Sequence, residues 1–400
     1  MIAAIPATQV VEQIDQIFVI TKHWLVGYLP APFQPIVSAL LSVIPILIAF
    51  PALFAVTTLL ERKGLGRIQN RYGPNRTGPF GLLQPVADGI KSLTKEDIIP
   101  LSADHLVHLL APVLLVTASF LGYAVLPIGK NMVVANLSAG VLFFFAIGSL
   151  VEIAIFMAGW SSRSKYSLLG AMRGIAQMIS YETPLVLASV VAIMATGSLS
   201  TVAIVDAQAT YTGIWPHWFI FTPWGLAGFI LFMIAATAES NRSPFDLPEG
   251  ESEIIAGYFI EYSGFKFALF FLGEYLGMFA TSGMAITLFL GGWSAPFSFL
   301  TWIPSYLWFF AKLITLIMGF IWIRGTVPRL RMDQLMNFAW KFMLPMTLVN
   351  IFAAAAWRFM PSGWIRWSIS SVFIAAAFLL LSRGLRGGTS FRPRQYRFAE

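Results

Sequence analysis

The sequence predicts an all-α polytopic membrane protein, a bundle of about eight or nine transmembrane helices with amphipathic helices at the interface. Composition is the first observation: the 400 residues are 57% hydrophobic and only 11% charged, against about 25% charged in soluble domains. The mean hydropathy is +0.74. The second is a set of apolar runs near the length of about 20 residues that spans a bilayer. They lie near 37–60, 104–127, 139–160, 170–196, 219–239, 265–290, 302–323, 340–357 and 365–382. The third is charge placement. Threading these runs alternately puts 21 of the 26 Lys and Arg on one side. The positive-inside bias assigns that side to the cytoplasm and the N-terminus to the outside, as in a bacterial inner-membrane protein. The net charge of +7 is therefore read as topology and not as a nucleic-acid footprint.

Each segment has its own justification. In 1–36, Glu12, Asp15 and Lys22 stand among apolar residues at 11, 14, 18 and 25. That pattern fits an interfacial helix better than a cleavable signal. Residues 37–357 form the core bundle, with three polar connections at 61–103, 240–264 and 324–341. The first opens "ERKGLGRIQNRYGPNRTGPFG", where glycine and proline argue for irregular backbone. Leu83, Val86, Ile90 and Leu93 then recur at helical spacing opposite Asp88, Lys91 and Lys95. They predict a short amphipathic helix that tolerates Pro85 in its first turn. In the second connection, Pro244 and Pro248 end any helix continuing from the fifth run. The third is basic, with Asp333 its single acid. Residues 358–400 add a further span and an arginine-rich tail.

Absent residue types narrow the chemistry. Without cysteine the chain builds no disulfide, no thiolate-held Fe–S cluster and no zinc ribbon. Of its four histidines, His23, His105, His108 and His217, the middle two sit where a span begins, and all are expected at the membrane interface. The sequence holds no Walker A loop and no dinucleotide fingerprint.

The acids carry the functional signal. Glu152, Glu182 and Glu274 lie inside apolar runs, while Glu61 and Glu239 close the first and fifth. An ionised side chain at a span centre costs about 2.5–3.5 kcal/mol, which cancels roughly six apolar residues at about 0.3–0.6 kcal/mol each. Intramembrane carboxylates are therefore functional candidates by default. Pairing with bases such as Arg173 or Lys312 is the competing explanation, but acids outnumber bases in these runs. Arg173 and Gln177 share one helix face, with Glu182 on the opposite side. Just past the fifth run, "AESNRSPFDLPEGESE" adds Asp246, Glu249, Glu251 and Glu253, with Glu261 beyond.

These stretches make the sequence similar to the H-subunit family of the proton-pumping NADH:quinone oxidoreductase, respiratory complex I. The likeness rests on four long motifs across about 61–345, in the family's order: "ERKGLGRIQNRYGPNRTGPFGLLQPVADGIKSLTKED", "GWSSRSKYSLLGAMRGIAQMISYE", "AESNRSPFDLPEGESEIIAGYFIEYSG" and "RGTVPRLRMDQLMNFAWKFMLP". The resemblance implies the membrane part of a quinone chamber, facing hydrophilic partner subunits that carry flavin and Fe–S clusters. Quinone enters as substrate, and the chain itself holds no redox cofactor. Carried onto this sequence, the quinone-access role falls to Arg62, Gln69, Arg71, Asp88 and Lys91. A proton path toward antiporter-like membrane-arm subunits falls to Glu152, Glu182, Glu239, Asp246, Glu249, Glu251, Glu253, Glu261 and Glu274. Ser240 and Met332 stand where Thr and Tyr are common in the family, and neither removes a charged group. A homologous subunit of an energy-converting hydrogenase is the nearest alternative, disfavoured by the complete first motif. A secondary ion transporter would be expected to show inverted repeats, and none is visible in the sequence.

Overall fold

Inside a bilayer no water satisfies backbone N–H and C=O groups, so apolar runs of this length close their own hydrogen bonds as helices. A computed structural model describes residues 13–248, 255–361 and 363–386. Its helices are α1 Ile17–Gly27, α2 Gln34–Ile68, α3 Gln84–Thr94, α4 His105–Gly122, α5 Gly140–Ser161, α6 Lys165–Thr196 and α7 Thr201–Gln208. After a small hairpin of β1 Tyr211–Thr212 and β2 Trp215–Pro216 come α8 Pro223–Glu239, α9 Gly264–Phe289, α10 Ser305–Thr326 and α11 Met332–Phe338. A π-helical turn, Ala339–Met343, joins α11 to α12 Leu344–Phe359, and α13 Trp364–Arg386 follows. Eight of the described segments are long and apolar enough to cross a membrane, with Met332–Phe359 acting as one. The 17 residues of α8 reach about 26 Å, the short end of what spans a bilayer.

The centre of the bundle is α9. From Tyr275 to Phe289 all but Gly277 are buried, because Ala280, Ser282, Gly283 and Ala285 let neighbouring helices approach closely. It packs on α4, α8 and α10. By contrast α13 lies on the outside against α12 and α8, with only 6% of its apolar window buried, so it is an addition to the core.

The three polar connections converge on one end of the bundle. Arg242, just past α8, and Arg324, in the last turn of α10, both reach Glu61 near the end of α2. Lys266 of α9 pairs at 2.7 Å with Asp97, between α3 and α4. The N-terminal segment is tied to the opposite end. There Asp15 Oδ1 accepts the backbone N–H of Ser305 at 2.6 Å, an acceptor at the positive end of α10.

Three expectations change. The stretch after Glu61 is not irregular at once: α2 continues to Ile68. Its glycines are points of close approach, since a β-carbon on Gly66 would lie 3.0 Å from the Arg71 carbonyl oxygen. In 324–341 only 327–331 leave the helical state, and Arg331 N–H bonds Gln334 Oε1 to start α11. His108, in the first turn of α4, is not exposed there. It is fully buried and stacks on Tyr262 with centroids 3.9 Å apart, because α4 lies against the turn that enters α9. The expected amphipathic helix is present as α3, with Pro85 in its first turn.

Candidate functional site

Successive residues of a helix point about 100° apart, so the end of α2 turns Arg62 outward and Glu61 inward. Glu61 is only 5% exposed. It accepts from the Tyr275 hydroxyl at 2.5 Å, from Arg242 Nη1 at 3.4 Å, and from Arg324 Nη1. The Arg242 guanidinium also lies 3.8 Å above the Tyr275 ring centre. Two cations thus share one buried carboxylate, and one of them, Arg242, also covers an aromatic face, which makes a structural hub. The sequence reading placed Glu61 only as the close of the first run. The hub's other members stand 181, 214 and 263 positions away, so local sequence carried no signal beyond an acid inside the last apolar turn.

From Tyr275 the site continues to its neighbour Glu274, whose Oε1 accepts the Tyr258 hydroxyl at 2.8 Å. Arg242 and Asp246 act on Glu274 electrostatically, so Arg242 stands between Glu61 and Glu274. Glu274 and Glu239 line one cavity of about 50 Å³ together with Ser119, Asn241 and Thr281, which is room for a few waters. The turn that places Glu239 is fixed from α6. The fully buried Gln177 donates to the carbonyls of Ala238 at 2.7 Å and Phe245 at 2.6 Å.

Glu239 then faces α5. Its Oε1 lies 3.6 Å from where a β-carbon on Gly148 would stand, one turn before Glu152. Glu152 and Glu182 lie close enough to interact directly, and both act electrostatically on Glu239. The pair is half-buried on the outer flank of α5 and α6, beside the exposed Ile153 and Ile179.

The quinone candidates divide into smaller groups. Arg62 and Asp88 pair at 2.6 Å, and Gln84 donates to Asp88 at 3.1 Å. Arg71 Nε donates to Gln69 Oε1 at 2.7 Å. Lys91 is exposed on α3, about one turn beyond Asp88. The α3 side chains Leu83, Val86, Ile90 and Leu93 are each more than half exposed, an apolar face open to lipid or a partner. Of the acidic connection, Asp246 is seen with its carbonyl accepting from Arg329, while Glu249, Glu251 and Glu253 lie outside the described residues. Glu261 is not brought to the cavity; it sits with its backbone beside His108. Burial holds the Tyr262 phenol, outside the spans, up at about 12, so it stays a neutral ring against that histidine. Lys312 is not the base that neutralises these acids, because its ammonium is held by carbonyl groups at the other end of the bundle.

Comparison with known proteins supplies the family. Residues 41–355 match the NADH dehydrogenase family. The chain is 42% identical over 354 residues to the NADH-quinone oxidoreductase H subunit of Polaromonas naphthalenivorans, covering 87% of this chain and 98% of that protein. It is 47% identical over 319 residues to the H subunit of Rickettsia typhi, covering 79% and 92%. With the H subunit of Dehalococcoides mccartyi it shares 50% over 296 residues, covering 74% and 80%. An all-α membrane bundle with carboxylates strung through its interior, together with identity of this extent, places the chain in the H-subunit family of NADH-quinone oxidoreductase.

Proposed function

We propose that this membrane subunit forms the bilayer side of a quinone chamber and relays protons from that chamber through its interior carboxylates. The loop end is the cytoplasmic face, on which hydrophilic partners carrying flavin and Fe–S clusters dock. The surrounding membrane is a bacterial inner membrane, with α1 on its outer surface. A lipid-soluble quinone slides in past the apolar face of α3. Arg62, Gln69, Arg71, Asp88 and Lys91 stand at its polar end, where guanidinium and ammonium groups offset charge on a reduced headgroup. The acidic connection with Asp246, Glu249, Glu251, Glu253 and Glu261 gathers protons beneath it.

Reduction of a quinone to a quinol takes up two electrons and two protons. A change of charge at the headgroup moves Arg242 between its two carboxylates, Glu61 and Glu274, and so changes how firmly Glu274 holds a proton. The cavity connects Glu274 to Glu239, and Glu239 faces the Glu152–Glu182 pair. One observation carries this reading above the others. Glu152 and Glu182 meet on a flank that is half-exposed at bilayer depth, and a carboxyl pair left facing lipid is costly. That flank is where a second membrane subunit with protonatable groups of its own sits, and the relay continues into it.

The test replaces Glu182 or Glu274 with Gln in the whole complex reconstituted in vesicles. Assembly is expected to be normal, with quinone-linked electron flow and proton pumping falling together by at least tenfold, about 1.4 kcal/mol of barrier. Wild-type rates of both in a normally assembled complex remove the carboxylates from the path.

A further inference from the structure

At the end of the bundle opposite the loops, Lys312 lies two turns into α10. Its Nζ donates to three backbone carbonyls, Leu290 at 2.7 Å, Gly292 at 2.8 Å and Ser294 at 2.7 Å. The Trp218 ring covers it at 4.1 Å, and the Trp218 indole N–H is itself anchored to Ser294 Oγ at 2.7 Å. Among the described residues no carboxylate pairs with Lys312. Three acceptors at hydrogen-bond distance use three hydrogens, which an ammonium has and a neutral amine lacks. The charge is thus held by carbonyl dipoles at the negative end of α9 and by a ring face.

Capping these carbonyls does not require a charge. Gln208 does the same work next door with a neutral amide. Its Nε2 donates to the carbonyls of Thr287 and Leu288, and its Oε1 accepts from the N–H groups of Phe219 and Gly291. What Lys312 adds is a fixed positive charge, and its place decides what that charge meets. The carboxylate cavity reaches Thr281. From there to Leu290 is nine residues, about 14 Å of helix, and the side chains of α9 over that stretch are buried. The hydroxyls of Thr281, Ser282 and Thr287 turn back to carbonyls of the preceding turn, so they are engaged within the helix.

We propose that Lys312 is a fixed cation that seals the carboxylate chamber against proton entry from the side of the membrane opposite the loops. A proton approaching the chamber from that side passes the ammonium in a low-dielectric setting, where like charges repel strongly. A chain that builds a proton gradient across the membrane must resist its return, and this end is where return would begin. The inference rests on the proton-path reading above, but its test is made without turnover, so the two fail separately.

Whole complexes carrying Lys312→Gln, Lys312→Met or Lys312→Arg are reconstituted in vesicles of one lipid composition. The decay of an imposed pH gradient is followed with an entrapped dye, in the absence of NADH and quinone. The two neutral variants are expected to raise passive proton conductance about tenfold, which corresponds to about 1.4 kcal/mol, and arginine to stay within about twofold of the parent. Trp218→Leu, which keeps the charge and loosens the packing, is expected to stay tight. An assembled Lys312→Gln complex as tight as the parent overturns the proposal. So does an equal leak in Trp218→Leu, which would make packing the seal. Failure of both neutral variants to assemble while arginine assembles also overturns it, leaving the lysine a folding cap.

Discussion

Replacing Glu61 with Gln removes the one negative charge that two cations share at the loop end. At 3.4 Å from Arg242 Nη1 and an effective dielectric near 20, the direct Coulomb term is about 5 kcal/mol. The amide keeps an acceptor for the Tyr275 hydroxyl and for one guanidinium, which retains about 1–2 kcal/mol. The Arg324 side chain is 34% exposed, so water recovers part of its loss and its share is discounted. Replacing the buried carboxylate also relieves about 1–2 kcal/mol of its own desolvation, so the remaining loss is about 2 kcal/mol, carried mostly by Arg242, whose side chain is 11% exposed. If these contacts break before the rate-limiting step of inactivation, heat inactivation of quinone reductase activity accelerates about 30-fold. The assay follows residual activity against time at fixed temperature, with subunit content checked on native gels. Arg331→Gln is the comparison, because the Arg331–Asp333 pair is 3.5 Å long and exposed and is expected to change the rate by no more than about twofold. Equal acceleration in both variants, or a Glu61→Gln rate within about twofold of the parent, refutes the hub.

Other outcomes follow from single contacts. A β-carbon on Gly170 would stand 2.5 Å from Gly257 Cα and 3.0 Å from Tyr258 N. Gly170→Ala is therefore expected to displace the turn that holds Tyr258 on Glu274, costing about 1–3 kcal/mol, read as a heat-inactivation midpoint lower by several degrees; an unchanged midpoint shows that the turn yields freely. Arg62→Ala is expected to raise the apparent quinone KM or lower turnover several-fold, and unchanged kinetics with several quinone analogues would take Arg62 out of the chamber. Outside the spans, burial raises the Asp206 carboxyl above its usual 3.8, with Lys130 opposing. A raised acid contributes stability that is complete below its unfolded pKa and is lost as pH rises through the folded one. Asp206→Asn should therefore match the parent's midpoint below about pH 4 and gain on it as pH rises toward about 7, whereas a constant difference across that range would contradict the assignment.

How far the sequence carried the reading differs from residue to residue. α3 was legible because Leu83, Val86, Ile90 and Leu93 repeat on one face, and the structure leaves that face open. Glu152, Glu182 and Glu274 were legible because a carboxylate inside an apolar run is anomalous whatever surrounds it. Glu61 was legible only as an acid closing the first run, and its partners Arg242, Tyr275 and Arg324 were not, since they lie 181 to 263 positions away. His108 looked interfacial from its place near the start of a run, and only the turn at Tyr258–Tyr262 encloses it.

By itself the sequence determined the solvent this chain folds in, the spans and the acids placed at membrane depth. Those follow from transfer free energies that each run of about 20 residues carries locally. Only the tertiary structure decided which charges meet: Glu61 with Arg242 and Arg324, Glu152 with Glu182, and Lys312, among the described residues, with no acid but with the carbonyls ending α9. The physical reason is distance along the chain. An electrostatic contact is set by a few ångströms of space, and helix packing brings together residues that the sequence keeps tens to hundreds of positions apart.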